Sequence, residues 1–224
     1  MKRFLRDNGL GLVFGLLFLA ALVGQAFAGN ADLNQRRLAD GGDPIGLGQY
    51  VVSSDFAVDV AENWQSEYLQ FVLFVFATVW LTQRGSTESK PFDRRGRETD
   101  EQQLSGEHVE EGSPPWAKAG GWRTRVYSNS LGLVMLALFL GSWGAQSVAG
   151  RSAYNNDQLV NFQDTVTWWE YAGSSDFWNR SLQNWQSEFL AIGSMVVFSV
   201  YLRQRGSSQS KPVGSPHTDT DKNG

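Results

Sequence analysis

The chain has 224 residues and a formal net charge of -4, so it lacks the basic footprint of a nucleic-acid-binding protein. It has no cysteine, which excludes disulfides, thiolate nucleophiles and thiolate metal sites. Its histidines, His108 and His217, both lie in polar segments, and no histidine-based metal centre or other cofactor is expected. The apolar residues are instead gathered into a few runs that are separated by very polar segments.

Four of these apolar runs predict transmembrane helices. Residues 10–28 and 131–149 each provide nineteen residues without a charge, which at 1.5 Å per residue cross a hydrocarbon core of about 30 Å. Residues 68–81 and 189–202 are apolar for only about fourteen residues. Extension to Trp64 and Trp185 adds a turn with an indole at interfacial depth. The fold class is therefore predicted as all-α, an integral membrane protein with transmembrane helices at about 10–28, 64–82, 131–149 and 185–203.

The first apolar run also has features of a secretory signal peptide. Lys2, Arg3 and Arg6 make a basic start, and Ala26-Phe27-Ala28 before Gly29 resembles a cleavage site. Residues 131–149 follow nearly the same pattern in the middle of the chain, where a signal peptide cannot lie. This similarity favours a first helix that is retained.

An internal repeat organises the chain. At an offset of 121, residues 8–91 align with residues 129–212 without a gap, and polar words such as SSDF, NWQSE and QRGS match in register. Unrelated membrane segments can share apolar residues because a bilayer favours them, but this does not explain polar pentads that match in register. The pattern therefore indicates duplication. We predict two-helix repeats at residues 1–91 and 122–212, a disordered cytoplasmic linker at residues 92–121, and a disordered tail at residues 213–224.

The number of crossings in each repeat determines how the repeats are related. Each repeat crosses the membrane twice, so both enter in the same direction and are related by a pseudo-two-fold axis along the membrane normal. Basic residues cluster near the helix ends on one side, which predicts cytoplasmic N- and C-termini in a cell (inner) membrane. The opposite loops carry only four arginines, Arg36, Arg37, Arg151 and Arg180.

The candidate functional layer is the pair of NWQSE pentads at the outer ends of the second and fourth helices. The layer comprises Asn63, Trp64, Gln65, Ser66, Glu67, Asn184, Trp185, Gln186, Ser187 and Glu188. In one interpretation Asn caps a helix, Glu interacts with the helix dipole and Trp anchors at the interface. In the other, two glutamates meet at a low-dielectric boundary, where they could share a proton or hold a cation.

Residues near the pentads indicate where the helices start and which side chains could join the layer. Ser53-Ser54-Asp55-Phe56 and Ser174-Ser175-Asp176-Phe177 are typical of helix starts, which would give a second helix of about thirty residues. Gln25 and Gln146 could hydrogen-bond to the neighbouring Glu or Asn, or serve as packing contacts. The loops between the helices predict short surface helices.

Three groups of residues resemble a known family. They are Phe4-Leu5-Arg6-Asp7-Asn8-Gly9-Leu10, the stretches NWQSEYL and NWQSEFL, and the helix exits QRGSTESK and QRGSSQSK. With these residues the chain resembles a bacterial family of small integral membrane proteins classed as a domain of unknown function. The resemblance covers nearly the whole chain except the linker and tail. It implies a membrane location and supplies no catalytic residues.

Three classes of function are compared. No residue set for an enzyme is present, since there is no cysteine, membrane histidine, Ser-His pairing or phosphate loop, and the chain is predicted not to be an enzyme. A structural or interaction role in the bacterial envelope is preferred, with the lipid bilayer and a homo-oligomer or envelope protein as partners. The alternative is small-ion or proton conduction that uses the paired outer carboxylates.

Overall fold

The structure is a computed structural model that describes residues 2–221, and these residues are all helical, turn or irregular, with no strand. Met1 and residues 222–224, which belong to the predicted first repeat and tail, lie outside the described residues, as does the side chain of Lys2. The predicted all-α class is confirmed for the described part of the chain. The disorder predicted for the linker and tail stays a prediction.

Four long helices and several short ones make up the described chain. The helices are α1 (Lys2–Asp7), α2 (Gly9–Ala39), α3 (Leu47–Tyr50), α4 (Ser54–Trp80), α5 (Pro115–Lys118), α6 (Gly121–Ser128), α7 (Ser130–Val160), α8 (Trp168–Ala172) and α9 (Ser175–Tyr201). Two short 3-10 helices, Phe92–Arg94 and Gly106–His108, lie between α4 and α5. Short helices therefore occupy the loops before α4 and α9, where the sequence predicts them.

The bounds of the long helices repeat at the sequence offset. Adding 121 to the bounds of α2 gives those of α7, and adding 121 to the bounds of α4 gives those of α9. The short helices α3 and α8 begin at positions related in the same way. Similar local sequences therefore select the same helix starts and ends in both halves of the chain.

The starts of α4 and α9 are capped by serine side chains. Ser53 Oγ accepts a hydrogen bond from the backbone N–H of Phe56 at 3.3 Å, and Ser174 Oγ accepts one from Phe177 at 3.2 Å. The predicted helix starts at these serines are confirmed, and each helix has 27 residues. The capping interpretation of Asn63 and Asn184 is wrong, because each lies well inside its helix, where every backbone N–H already has a helical acceptor.

Two helices, α2 and α7, are long and apolar enough to cross a bilayer, judged by length and composition over the described residues. Neither α4 nor α9 meets the same criterion, because charged and amide residues occupy the first half of each helix. The described chain thus contains two candidate membrane spans rather than the four that the sequence predicts.

The described chain divides into two compact units. The first unit comprises Met1–Ala61 and Ala145–Phe177, and the second comprises Glu62–Gly144 and Trp178–Gly224. Each unit therefore contains segments from both halves of the repeat.

In the first unit, a glycine on each long helix accommodates a buried tyrosine. A Cβ added at Gly29 would lie 2.8 Å from Cζ of Tyr50, and a Cβ at Gly150 would lie 3.0 Å from Cζ of Tyr171. Both tyrosines are almost fully buried, with exposed fractions of 2% and 0%. The matched glycines are therefore explained by close packing, since any side chain there would displace a tyrosine ring.

An asparagine on each long helix fixes the returning loop in this unit. Asn34 Oδ1 accepts from Ile45 N at 2.7 Å and its Nδ2 donates to Ile45 O at 2.9 Å. Asn155 binds both backbone groups of Val166 in the same way, at 2.8 and 3.1 Å. A single amide side chain thus satisfies the donor and the acceptor of one loop residue in each copy.

In the second unit, the loops that follow α4 and α9 begin with the same letters QRGS and end in a lysine. These QRGS loops, residues 83–90 and 204–211, share a fold but differ in how their final lysine is bound. Gln83 N donates to Ser89 Oγ at 2.8 Å, and Gln204 N donates to Ser210 Oγ at 2.9 Å. In the first copy Lys90 Nζ forms an ion pair with Glu98 at 3.0 Å. The hydrogen bond that Lys90 donates to Glu98 holds the pKa of the Glu98 carboxyl below its ordinary value.

In the second copy the equivalent lysine is buried in backbone carbonyls. Lys211 Nζ donates to the carbonyl oxygens of Gly85 at 2.6 Å, His217 at 3.0 Å, Asp219 at 3.2 Å and Pro216 at 3.4 Å. Burial lowers the pKa of the Lys211 ammonium, and the positive charge of Arg203 acts in the same direction. These contacts fasten the end of the second copy to the Gly85 loop of the first.

The close approach of Gly29 and Tyr50 gives the first prediction. Gly29→Ala should lower the free energy of unfolding by about 1–3 kcal/mol, because the added methyl group forces a buried ring to move. Gly24→Ala is the matched control, since nothing lies within 4 Å of a Cβ there, and it should be neutral or slightly stabilising. Thermal unfolding of purified protein measures both. Equal effects of the two variants would contradict the packing explanation.

Candidate functional site at the paired pentads

Both pentads lie in the second unit, the first on α4 and the second on α9. In the first pentad Gln65 and Ser66 are buried, whereas Asn63, Trp64 and Glu67 are exposed. In the second pentad Gln186 and Ser187 are exposed, whereas Asn184, Trp185 and Glu188 are half-buried. Identical sequences therefore turn different faces toward the protein, and the two glutamates are enclosed to different extents.

The central contact of the site is a hydrogen bond between the two copies. Trp185 Nε1 donates to Gln65 Oε1 at 2.7 Å. Gln65 is fully buried, and within residues 2–221 no acceptor reaches its Nε2. If this bond broke, the buried Gln65 carbonyl would lose its hydrogen-bond donor and would incur its full desolvation cost. The bond therefore holds α4 and α9 in register.

The carboxylates of the two pentads interact electrostatically beside this bond. Glu188 interacts electrostatically with Glu67 and lies within hydrogen-bonding reach of the Ser66 hydroxyl. Ser66 Oγ also donates to Asn63 O at 2.9 Å, so its one hydrogen serves either the carbonyl or the carboxylate. The equivalent Ser187 Oγ donates to Asn184 O at 2.8 Å. Of the two interacting carboxylates, Glu188 is the more enclosed.

An ion pair joins the same two helices just before the pentads, from Glu62, which directly precedes the first pentad, to Arg180, one turn before the second. Arg180 Nη1 contacts Glu62 Oε2 at 3.2 Å, and the glutamate side chain is 17% exposed. The sequence analysis missed this pair, although a signal exists. Arg180 aligns with Asp59 in the first copy, so the charge at that repeat position is inverted. An inverted charge at one repeat position predicts an ion pair between the two copies, which two identical halves could not form there.

Three tryptophans surround the same site on the second-copy side. The ring centroids of Trp143 lie 6.1 Å from Trp178 and 6.0 Å from Trp185, and Trp178 and Trp185 are 6.3 Å apart. Trp143 Nε1 donates to Ser181 Oγ at 3.4 Å. The sequence analysis missed the cluster because Trp143 and Trp178 have no tryptophan at the aligned positions of the first copy.

The two glutamines predicted to join this layer lie in the first unit. Gln146 on α7 is fully buried, and Gln25 on α2 is half-buried. As for metal binding, within the described ranges no group of three or more His, Cys, Asp or Glu residues is placed to hold an ion. The site thus offers two electrostatically interacting carboxylates next to a buried amide, a buried hydroxyl and a half-buried indole.

Comparison with known protein families tests the predicted family resemblance. The family described as Domain of unknown function (DUF6766) matches residues 1–222. The chain belongs to this family. The predicted resemblance to a domain of unknown function is therefore confirmed, and the match extends through the linker. No curated protein and no solved structure matches this DUF6766 chain.

The hydrogen bond from Trp185 to Gln65 gives the second prediction. Trp185→Phe should lower the free energy of unfolding by about 1–3 kcal/mol, because the Gln65 carbonyl loses its donor. Trp64→Phe at the aligned position is the matched control, since Trp64 is 42% exposed, and its effect should be much smaller. Thermal unfolding of the purified variants provides the comparison. In a Gln65→Leu background the cost of Trp185→Phe should shrink, and a cost that stays unchanged would refute the proposed coupling.

Proposed function

We propose that the chain is a multi-pass membrane protein of four transmembrane helices, arranged as two parallel two-helix repeats, with a structural or interaction role in the bacterial envelope. In this proposal both termini and the linker are cytoplasmic, and the partners are the lipid bilayer and a second copy or an envelope protein. The chain is proposed not to be an enzyme and to bind no nucleic acid.

The observation that carries the proposal is the exposed apolar surface of α2. Leu10, Phe14 and Leu16 are 77%, 63% and 67% exposed, and other large apolar side chains between them are also exposed. Such a continuous apolar surface is costly in water and favourable in a lipid environment. The α7 helix supports the same proposal, with Leu131 at 58% and Leu140 at 53% exposure.

The contacts of the pentads support crossings by α4 and α9 as well. A helix with amide and hydroxyl groups can cross a bilayer when those groups face protein rather than lipid. On α4 the buried Gln65 and Ser66 face Trp185 and Glu188 of α9. Beyond the pentads each helix continues in mostly apolar residues to its end at Trp80 or Tyr201. The matched bounds of α4 and α9 are consistent with equivalent roles for the two helices.

The proposed topology can be tested with single cysteines, because the chain has none of its own. The exposed positions Asp43, Glu111 and Gln163 are each changed to cysteine and labelled in sealed vesicles with a membrane-impermeant maleimide. Four crossings place residues 43 and 163 on one side and residue 111 on the other. Two crossings, by α2 and α7 alone, place residues 43 and 111 together and residue 163 opposite, which would overturn the proposal.

The electrostatic interaction between Glu67 and Glu188 favours one second candidate, conduction of protons or small cations. In that case the parent protein in proteoliposomes carries a flux, and Glu67→Gln with Glu188→Gln abolishes it while folding stays intact. Glu107→Gln with Glu110→Gln is the control, since it removes the same charge from exposed positions of the linker. A parent without flux, or equal loss in both double variants, would remove conduction from consideration.

A further inference from the structure

The segment that follows Lys211, residues 212–221, lies against the first QRGS loop within the second unit, and we call it the strap. The backbone N–H of Gly85 donates a hydrogen bond to Thr220 Oγ1 at 2.9 Å. A Cβ at Gly85 would collide with the carbonyl oxygen of His217, so a glycine is needed for this close approach. Together with the four carbonyl groups that Lys211 binds, these contacts hold the strap against the loop.

An open pocket of about 350 Å³ lies between the strap and the first QRGS loop. Two parts of the chain line it. They are residues at and just after the loop, namely Arg84, Pro91 and Phe92, and residues of the strap, namely Thr218, Asp219 and Thr220. Because the strap is fastened to the loop, both walls of the pocket are held in place.

The first wall offers a positive charge to a ligand. Arg84 is exposed, and its Cζ lies 5.5 Å from the centroid of the Phe92 ring, where a cation–π contact orients the guanidinium group. The planar guanidinium group binds phosphate through two parallel hydrogen bonds. The second copy has an arginine at the aligned position, Arg205, but Val213 aligns with Phe92 and supplies no ring. The oriented arginine is therefore a property of the first copy.

The strap supplies the opposite charge. Asp219 is half-buried and Thr218 is exposed. An ionised carboxylate only accepts hydrogen bonds, so it favours an ammonium group, whereas a threonine hydroxyl can accept or donate. A ligand with negative charge alone would be repelled by Asp219. A ligand that carries both a phosphate and an ammonium group matches both walls of the pocket.

The position of the pocket along the chain indicates where such a ligand comes from. The α4 helix ends at Trp80, which is 49% exposed, and the next residue, Leu81, is 69% exposed. Exposed tryptophan is typical of the interface between bilayer and water. Arg84 follows three residues after Leu81. If α4 crosses the bilayer, the pocket therefore lies at the depth of the lipid headgroups.

We propose that this pocket binds the phosphoethanolamine headgroup of a membrane lipid. The phosphate pairs with Arg84, and the ammonium group pairs with Asp219. A protein cavity of about 150 Å³ holds benzene, so about 350 Å³ leaves room for this slightly larger group. The inference rests on the proposed function, because the four crossings place the end of α4 at the membrane surface. It specifies that function by naming one lipid class and its site.

The test measures lipid affinity by native mass spectrometry of the full chain in detergent. The probes are phosphatidylethanolamine, phosphatidylcholine and phosphatidylglycerol with identical short acyl chains. Phosphatidylethanolamine should bind about tenfold more tightly than the other two, because choline has no N–H donor and glycerol has no positive charge. Glycerophosphoethanolamine, which has the headgroup without acyl chains, should bind about tenfold more weakly than the lipid. These comparisons need no variant.

Variants then assign the preference to this pocket. Arg84→Gln should weaken the binding of phosphatidylethanolamine about tenfold, and Asp219→Asn should reduce its advantage over phosphatidylcholine. Arg205→Gln is the matched control, because it removes the same charge from an exposed, aligned position that does not line the pocket. Its affinity should equal that of the parent, and thermal unfolding checks that each variant is folded.

Three results would overturn the proposal. Equal affinity for the three lipids would indicate general contact with lipid, and equal losses in Arg84→Gln and Arg205→Gln would indicate a general effect of surface charge. Equal affinity for glycerophosphoethanolamine would identify a free compound as the ligand. The cysteine labelling tests the crossings separately, so four crossings with equal lipid affinities would remove this site and leave the proposed function intact.

Discussion

A buried amide needs hydrogen-bond partners, and in this chain the partner of Gln65 comes from the other copy of the repeat. The indole N–H of Trp185 reaches the Gln65 carbonyl at 2.7 Å, on a side chain with no exposed surface. The positions of the neighbouring groups depend on this bond. It sets the register of α4 against α9, which brings Glu188 to Ser66 and Arg180 to Glu62.

The two copies agree in backbone and differ in side chains where they contact each other. Helix bounds, the glycine–tyrosine packing, the asparagine that binds a loop residue and the QRGS loop are all shared at the repeat offset. By contrast, Asp59 aligns with Arg180 and Gln70 aligns with Ala191. An acidic side chain at position 180, as at the aligned position of the first copy, would place a like charge against Glu62. Divergence after duplication removes that repulsion and creates unequal, complementary surfaces.

Much of the local structure could be predicted from sequence, because helix starts and apolar runs are local signals. The serine-capped starts of α4 and α9 and the positions of α2 and α7 follow from such signals. The capping role given to Asn63 and Asn184 was wrong because the apolar run begins at the pentad, whereas the helix begins at the serines upstream. Which face of each pentad is buried could not be predicted, since two identical sequences differ only through what packs against them.

The buried ammonium of Lys211 has a consequence for the time course of synthesis. The carbonyl of Gly85 that it binds is 126 residues earlier in the chain. At roughly 5–20 residues per second, a ribosome needs on the order of 6–25 s to make the intervening segment. During that interval the Gly85 carbonyl lacks the ammonium group that later donates to it. The native conformation of this early loop is therefore completed only after nearly the whole chain has been translated, whatever the speed at which its own helices form.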